Sequence, residues 1–165
     1  MDPFLAAAHE QAVASLDEGG FPVGSVIVRD GQVIGAGFNR YTQTGDPTRH
    51  AELEAIRDAA ERAGDGQLLN LLAGAICYTT MMPCEMCSGA IIRFGLAAVV
   101  VAEVSSYEAA DTRELLEGHG IEVEIRNEEA CWATVESYYL AHPQARGARR
   151  PSDYRWPNAR GEQGG

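Results

Sequence analysis

"AGAICYTTMMPCEMCSGAIIRFGLAAVVVAEV", residues 73–104, holds three elements in a row. "AGAICYTT" reads as a buried strand. "PCEMCSGAIIRFG" reads as a helix with Pro83 at its start, where a missing N–H is harmless. "LAAVVVAEV" is a second strand without polar alternation, the pattern of a central strand covered on both faces. Strand, helix, strand in that order predicts a right-handed parallel crossover.

Working outward, "VGSVIVRDGQVIGAGFN" (23–39) places two apolar runs around Asp30-Gly31, a strong β-hairpin signal. Before it, Asp2-Pro3 starts a helix that runs at helical period to Gly19-Gly20. After it, "RYTQTGDPT" (40–48) reads as a loop, and "RHAELEAIRDAAERAG" as a helix that Gly64 closes. Downstream come a helix ("EAADTRELLEGHG"), an alternating strand ("IEVEIR") and a final amphipathic helix ("EEACWATVESYYLAH"). The order α-β-β-α-β-α-β-α-β-α predicts a three-layer α/β/α sandwich with a five-stranded mixed sheet. Residues 1–145 are expected to form one domain, and 146–165 a tail that is a lid or disordered.

Apolar residues at 45% and charged residues at 22% fit a globular chain with a sizeable core. The start lacks a basic segment followed by an apolar run, and no run approaches the roughly 18 residues a membrane span needs. A cytoplasmic location is expected. Net charge is −11, and all thirteen basic residues are arginine. Such a surface repels phosphate backbones, which makes nucleic acid an unfavoured partner and a small molecule a favoured one. Five arginines (146, 149, 150, 155 and 160) gather in the last twenty residues.

The chemistry concentrates in His50-Ala51-Glu52 and Cys84-Glu85-Met86-Cys87. Cys84 and Cys87 are three apart, on one helix face in the first turn, where partial positive charge favours thiolates. His50 also opens a helix. Two thiolates and one imidazole suit Zn²⁺ and leave a fourth position open. Glu52 lies about 200° around a helix from His50, so both can reach a metal only at the helix's end. Cys77 and Cys131 fall in apolar patterns and are expected to be buried small hydrophobes. A redox Cys-x-x-Cys would leave His50 and Glu52 unexplained. A structural site would need a fourth ligand from Cys77, Cys131, His119 or His142.

H-x-E followed by P-C-x-x-C is the spacing of the zinc nucleobase deaminases. With "EGGFPVG", "GFN", "YTTMMPCEMCSGAII", "FGLAAVVVAE", "GHGIEV" and "HPQ", the chain resembles the cytidine-deaminase-like superfamily, and within it the fungal-type free-base cytosine deaminases. The resemblance implies one Zn²⁺ per chain on His50, Cys84 and Cys87, Glu52 as proton carrier, and a homodimer. It also implies that Asn39 binds the ring's amide edge and Tyr107 packs on the substrate. The N–H groups of Ala51 and Cys84 then face an oxygen of the substrate or of the attacking water. In the fungal enzymes an aspartate near the C-terminus binds the exocyclic amine. Here Arg149 takes that place, and Asp153, Tyr154 and Trp156 follow shortly after, so they are the candidates to close the pocket. The expected reaction is zinc-dependent hydrolytic deamination of cytosine or of analogues such as 5-azacytosine and other amino-triazines. Guanine, isocytosine or creatinine-like rings come next, then tRNA adenosine. A structural zinc module that binds a protein partner is the non-enzyme alternative.

Overall fold

The computed structural model describes residues 1–64, 66–105 and 110–147. Asp2 caps α1 (Pro3–Asp17), its carboxylate accepting from the N–H groups of Phe4 at 2.8 Å and Leu5 at 3.3 Å. β1 (Gly24–Arg29) and β2 (Gln32–Phe38) form the expected hairpin. Asp30 at φ 51° and Gly31 at φ 73° supply the two positive values that a type I′ turn requires. There follow α2 (Tyr41–Thr44), α3 (Ala51–Ala63), α4 (Leu68–Leu72), β3 (Ile76–Met81) and α5 (Glu85–Phe94). β4 (Ala98–Glu103), α6 (Ala110–Gly118), β5 (Glu122–Ile125), α7 (Glu129–Ala141) and a 3₁₀ turn, Pro143–Gly147, complete the chain described.

The five strands are ordered β2-β1-β3-β4-β5. β1 runs antiparallel to both its neighbours, whereas β3, β4 and β5 are parallel, so the sheet is mixed. Alternation along the strands assigns each side chain to a face. Ile27, Cys77, Val99 and Val101 join Ala55, Ile56, Leu72, Ile91 and Leu116, the layer that contains α3 to α6. Val26, Val28, Tyr78, Val100 and Ala102 join Leu5, Ala8 and Cys131 of α1 and α7. This is the three-layer sandwich, with β4 buried on both faces and β5 alternating at the edge.

Three departures from the sequence reading are local. The stretch expected as a loop contains α2, and α4 follows α3 where no element was expected. α7 buries Cys131, Val135 and Tyr138 in a stripe, yet it also exposes Trp132 and Leu140, so its polar face is incomplete. The tail from residue 148 lies outside the described residues. Among those described, no helix is long and apolar enough to cross a membrane.

Helix α3 lies unusually close to β2. A Cβ at Gly37 would sit 2.5 Å from the backbone nitrogen of Ala55 and 2.5 Å from Cβ of Glu54. Backbone cannot swing away as a side chain can. Gly37→Ala should therefore cost about 3 kcal/mol of stability, at the upper end for overpacking. A thermal melt should show Tm lowered by roughly 6–12 °C. An unchanged melt would show that the close approach is not rigid.

This packing also fixes where chemistry can occur. β2 and β3 point the same way, so the chain leaves both at one edge of the sheet, and the N-termini of α3 and α5 meet there. That edge is the carboxyl end of the parallel strands, the usual location of sites in open α/β sheets.

Candidate active site

His50 and Cys84 are both N-cap residues in extended conformation, and neither uses its side chain to cap its helix. Both side chains turn instead toward one point beyond the helix ends. His50 Nδ1 lies 3.4 Å from Cys84 Sγ and 3.6 Å from Cys87 Sγ, and the two sulfurs are 3.7 Å apart. Zinc held tetrahedrally at its usual bond lengths requires about 3.6 Å between N and S and about 3.8 Å between sulfurs. The donor set therefore fits Zn²⁺ in chemistry and in spacing. Among the described residues no further His, Cys or carboxylate joins this group.

Electrostatics agree with thiolate ligation. Hydrogen bonding with Cys87, and then with His50, brings the Cys84 thiol down to about 4. Cys87 is pushed well above the ordinary thiol value, chiefly by its hydrogen bond to Cys84, so Cys84 ionises first. Hydrogen bonding to Cys84 raises His50. The two remaining cysteines behave as packing groups. Burial pushes Cys77 and Cys131 each up to about 12. Cys131 lies with the α1 and α7 layer. His119 is exposed, and His142 stacks on Tyr138 at 4.2 Å. None of the four supplies the extra ligand of a structural site.

Glu52 is 3% exposed and accepts a hydrogen bond from Thr79 Oγ1 at 3.4 Å. Burial above all, and then the charge of Cys84, hold its carboxyl above the usual carboxylate range. A buried carboxyl beside a group of metal-ligating side chains, yet outside that group, is suited to carrying protons. Ala51 is the first residue of α3, so its N–H has no acceptor within the helix. Asn39 follows β2 directly. Its backbone N–H donates to Val23 O at 2.9 Å, and its own carbonyl accepts from Ser15 Oγ at 2.8 Å. Its Oδ1 accepts from Tyr41 N at 2.9 Å, so the side chain also makes a turn. The amide NH₂ is the end that can donate to a ligand.

Tyr107, Asp153, Tyr154 and Trp156 lie outside the described residues. Sequence reasoning did not single out Thr79, the donor to Glu52. Its signal was present as two threonines in an otherwise apolar buried strand, because a buried hydroxyl needs a partner. The wall behind Ala51 was not foreseen either. Val23, Met81 and Val135 pack there with Phe21 and Tyr139.

Residues 2–103 match the family model described as the cytidine and deoxycytidylate deaminase zinc-binding region. The cytosine deaminase of Candida albicans is 33% identical over 141 residues, spanning 85% of this chain and 89% of that protein. The guanine deaminase of Bacillus subtilis is 44% identical over 91 residues, 54% of this chain and 56% of that one. A solved structure from a study of A-to-I editing by tRNA A34 deaminases is 29% identical and superposes with a TM-score of 0.63. It covers 74% of this chain and 95% of its own. With the ligand spacing above, these matches decide the assignment: the chain belongs to the zinc-binding cytidine and deoxycytidylate deaminase family.

Proposed function

We propose that this deaminase acts on free nucleobases or related amino-substituted N-heterocycles, replacing C–NH₂ by C=O with release of ammonia. Cytosine and analogues such as 5-azacytosine are the leading substrates. The observation that carries the reaction is the buried Glu52 carboxyl beside, but not within, the His50–Cys84–Cys87 cluster. Support for the substrate comes from the cytosine deaminase relative, whose likeness runs through 85% of the chain.

His50, Cys84 and Cys87 would hold Zn²⁺. When bound, the ion supplies a Lewis acid that makes water nucleophilic near neutral pH. Glu52 takes a proton from the attacking water and delivers it to the ring nitrogen beside the amino-bearing carbon. Protonation there makes that carbon electrophilic. Glu52 then takes the remaining proton from the hydroxyl now on the ring carbon and passes it to the amine. The C–N bond breaks as C=O forms, so one water enters, one ammonia leaves, and the carboxyl returns to its starting state. The raised proton affinity of Glu52 suits a group that must both take and give. Asn39 holds the ring through its amide, and the N–H of Ala51 serves as a donor toward an oxygen of the reacting centre.

The test is ammonia release measured over cytosine, 5-azacytosine, guanine, isocytosine, creatinine, nucleosides and tRNA. Free bases should be turned over with kcat/KM at least about 10² above nucleosides, the discrimination that pocket contacts can supply. Ammonia from nucleosides or tRNA alone would overturn the reading. A purine ring is the second reading, favoured by the 44% identity to the guanine deaminase over 91 residues. tRNA ranks below both, because a chain of net charge −11 is a poor fit to a phosphate backbone.

A further inference from the structure

Glu54 has no part in the chemistry above, yet its carboxylate meets three arginines. Its side chain is 9% exposed. Arg49 grips it with both arms of the guanidinium fork, Nε at 3.1 Å and Nη2 at 2.6 Å. Arg57 donates from Nη1 at 2.5 Å, one turn further along α3. Arg40 Nε stands 3.9 Å away, its guanidinium lying 4.2 Å over the Phe38 ring. Arg40 also pairs with Glu18 at 3.6 Å.

What matters is where these arginines stand in the chain. Arg40 follows Asn39, and Arg49 precedes His50. The chain has left β2 at the first and enters α3 at the second. The backbone closes at the same place, with Arg40 N–H donating to Arg49 O at 2.9 Å and Glu54 N–H to His50 O at 2.9 Å. Gly37 allows α3 to approach closely enough at Glu54 for the carboxylate to reach both ends. One buried carboxylate thus ties the residue proposed to hold the base to the residue that holds the metal. The Arg49 end of this tie is charge-assisted and bidentate, which gives it directional precision, and the Arg40 end is an ion pair at 3.9 Å.

We propose that Glu54 is a positioning residue for substrate binding: by holding Arg40 and Arg49 together, it fixes Asn39 at a set distance from His50 and Ala51. The proposal rests on the reading of Asn39 as a contact to the base. It acts through geometry, so the metal centre stays intact without it.

Glu54→Gln retains shape and removes the charge. Amide hydrogen exchange should quicken at Arg40 and across residues 40–49 by roughly tenfold or more, with β3 and β4 amides unchanged, because only a local opening is made easier. Zinc content should stay at that of the unmutated protein. KM for the best free base should rise about 5–10-fold with kcat within about twofold, the pattern of lost uniform binding. In an Asn39→Ala background the same change should raise KM by less than about twofold, since two groups acting through one contact are not additive. A merely structural role would raise KM equally in both backgrounds, and that result would overturn the proposal. So would unchanged exchange at 40–49, or loss of zinc. If Glu54→Gln does not fold, Arg49→Met carries the same comparison while leaving Arg57 on Glu54. A wild type that releases ammonia from no free base sinks the substrate reading by itself. Faster local exchange in Glu54→Gln still upholds the tie in that case, and unchanged exchange still overturns it.

Discussion

Glu52→Gln should keep its zinc and lose ammonia release by about 10³–10⁴-fold, the upper range for a positioned proton carrier. That corresponds to about 4–5.5 kcal/mol of transition-state stabilisation. Both halves follow from position. The carboxyl is absent from the group of ligand atoms, so exchanging it for an amide removes no metal bond. It is also 3% exposed, so water cannot easily replace it as a proton carrier. The amide has the same shape, and its oxygen can still accept from Thr79 Oγ1. Burial penalises the charged carboxylate, and a neutral group escapes that penalty, so the melt should not fall. The loss should appear in kcat with KM nearly unchanged, because the proposed contact to the ring is Asn39 and not Glu52. Zinc analysis, a melt and steady-state kinetics on one preparation read all of this. Activity within about tenfold of wild type would remove Glu52 from the mechanism.

Most of what positions Glu52 was legible in the sequence, for physical reasons that can be named. Asp30-Gly31 has few conformations compatible with two flanking strands, so the hairpin was readable from two residues. Pro83 and the Cys spacing announced a helix start, and a helix start is where ligands from another helix can converge. The short helices α2 and α4 were not readable, because four or five residues complete too little of a helical period to leave a pattern. The Glu54 hub was invisible for a different reason. Arg40, Arg49, Arg57 and Glu54 are ordinary surface residues until the chain folds back between β2 and α3, and only then does one carboxylate meet three guanidinium groups. The pairing of Thr79 with Glu52 likewise depends on strand register, which no local pattern supplies. Tyr107, Asp153, Tyr154 and Trp156, expected at the pocket only by comparison with the fungal-type enzymes, lie outside the described residues.

Loss of the metal is the other large effect, and it separates an open catalytic centre from a structural one. Cys84→Ser should weaken zinc binding by more than about 100-fold, beyond the 10–100-fold typical when a group that only supports a ligand is removed. Ammonia release should fall with zinc occupancy. The reason is charge as much as contact: Cys84 is the thiol that ionises first, down at about 4, and a serine hydroxyl stays protonated. Cys87 is buried at the start of α5 and His50 occupies the N-cap position of α3, so two ligands persist on rigid elements. The serine variant should therefore fold and bind zinc weakly rather than unfold. Chelation of the wild type should abolish activity and added Zn²⁺ should restore it. The melt should shift in step with metal concentration, as for any ligand that binds only the native state. Cobalt substitution adds the decisive reading. With two thiolates, one imidazole and an exchangeable position, the cobalt spectrum should change on adding a small anion or a slow heterocyclic substrate. A spectrum indifferent to both would mean four protein ligands. That outcome would move the chain out of catalysis, however well Glu52 is placed.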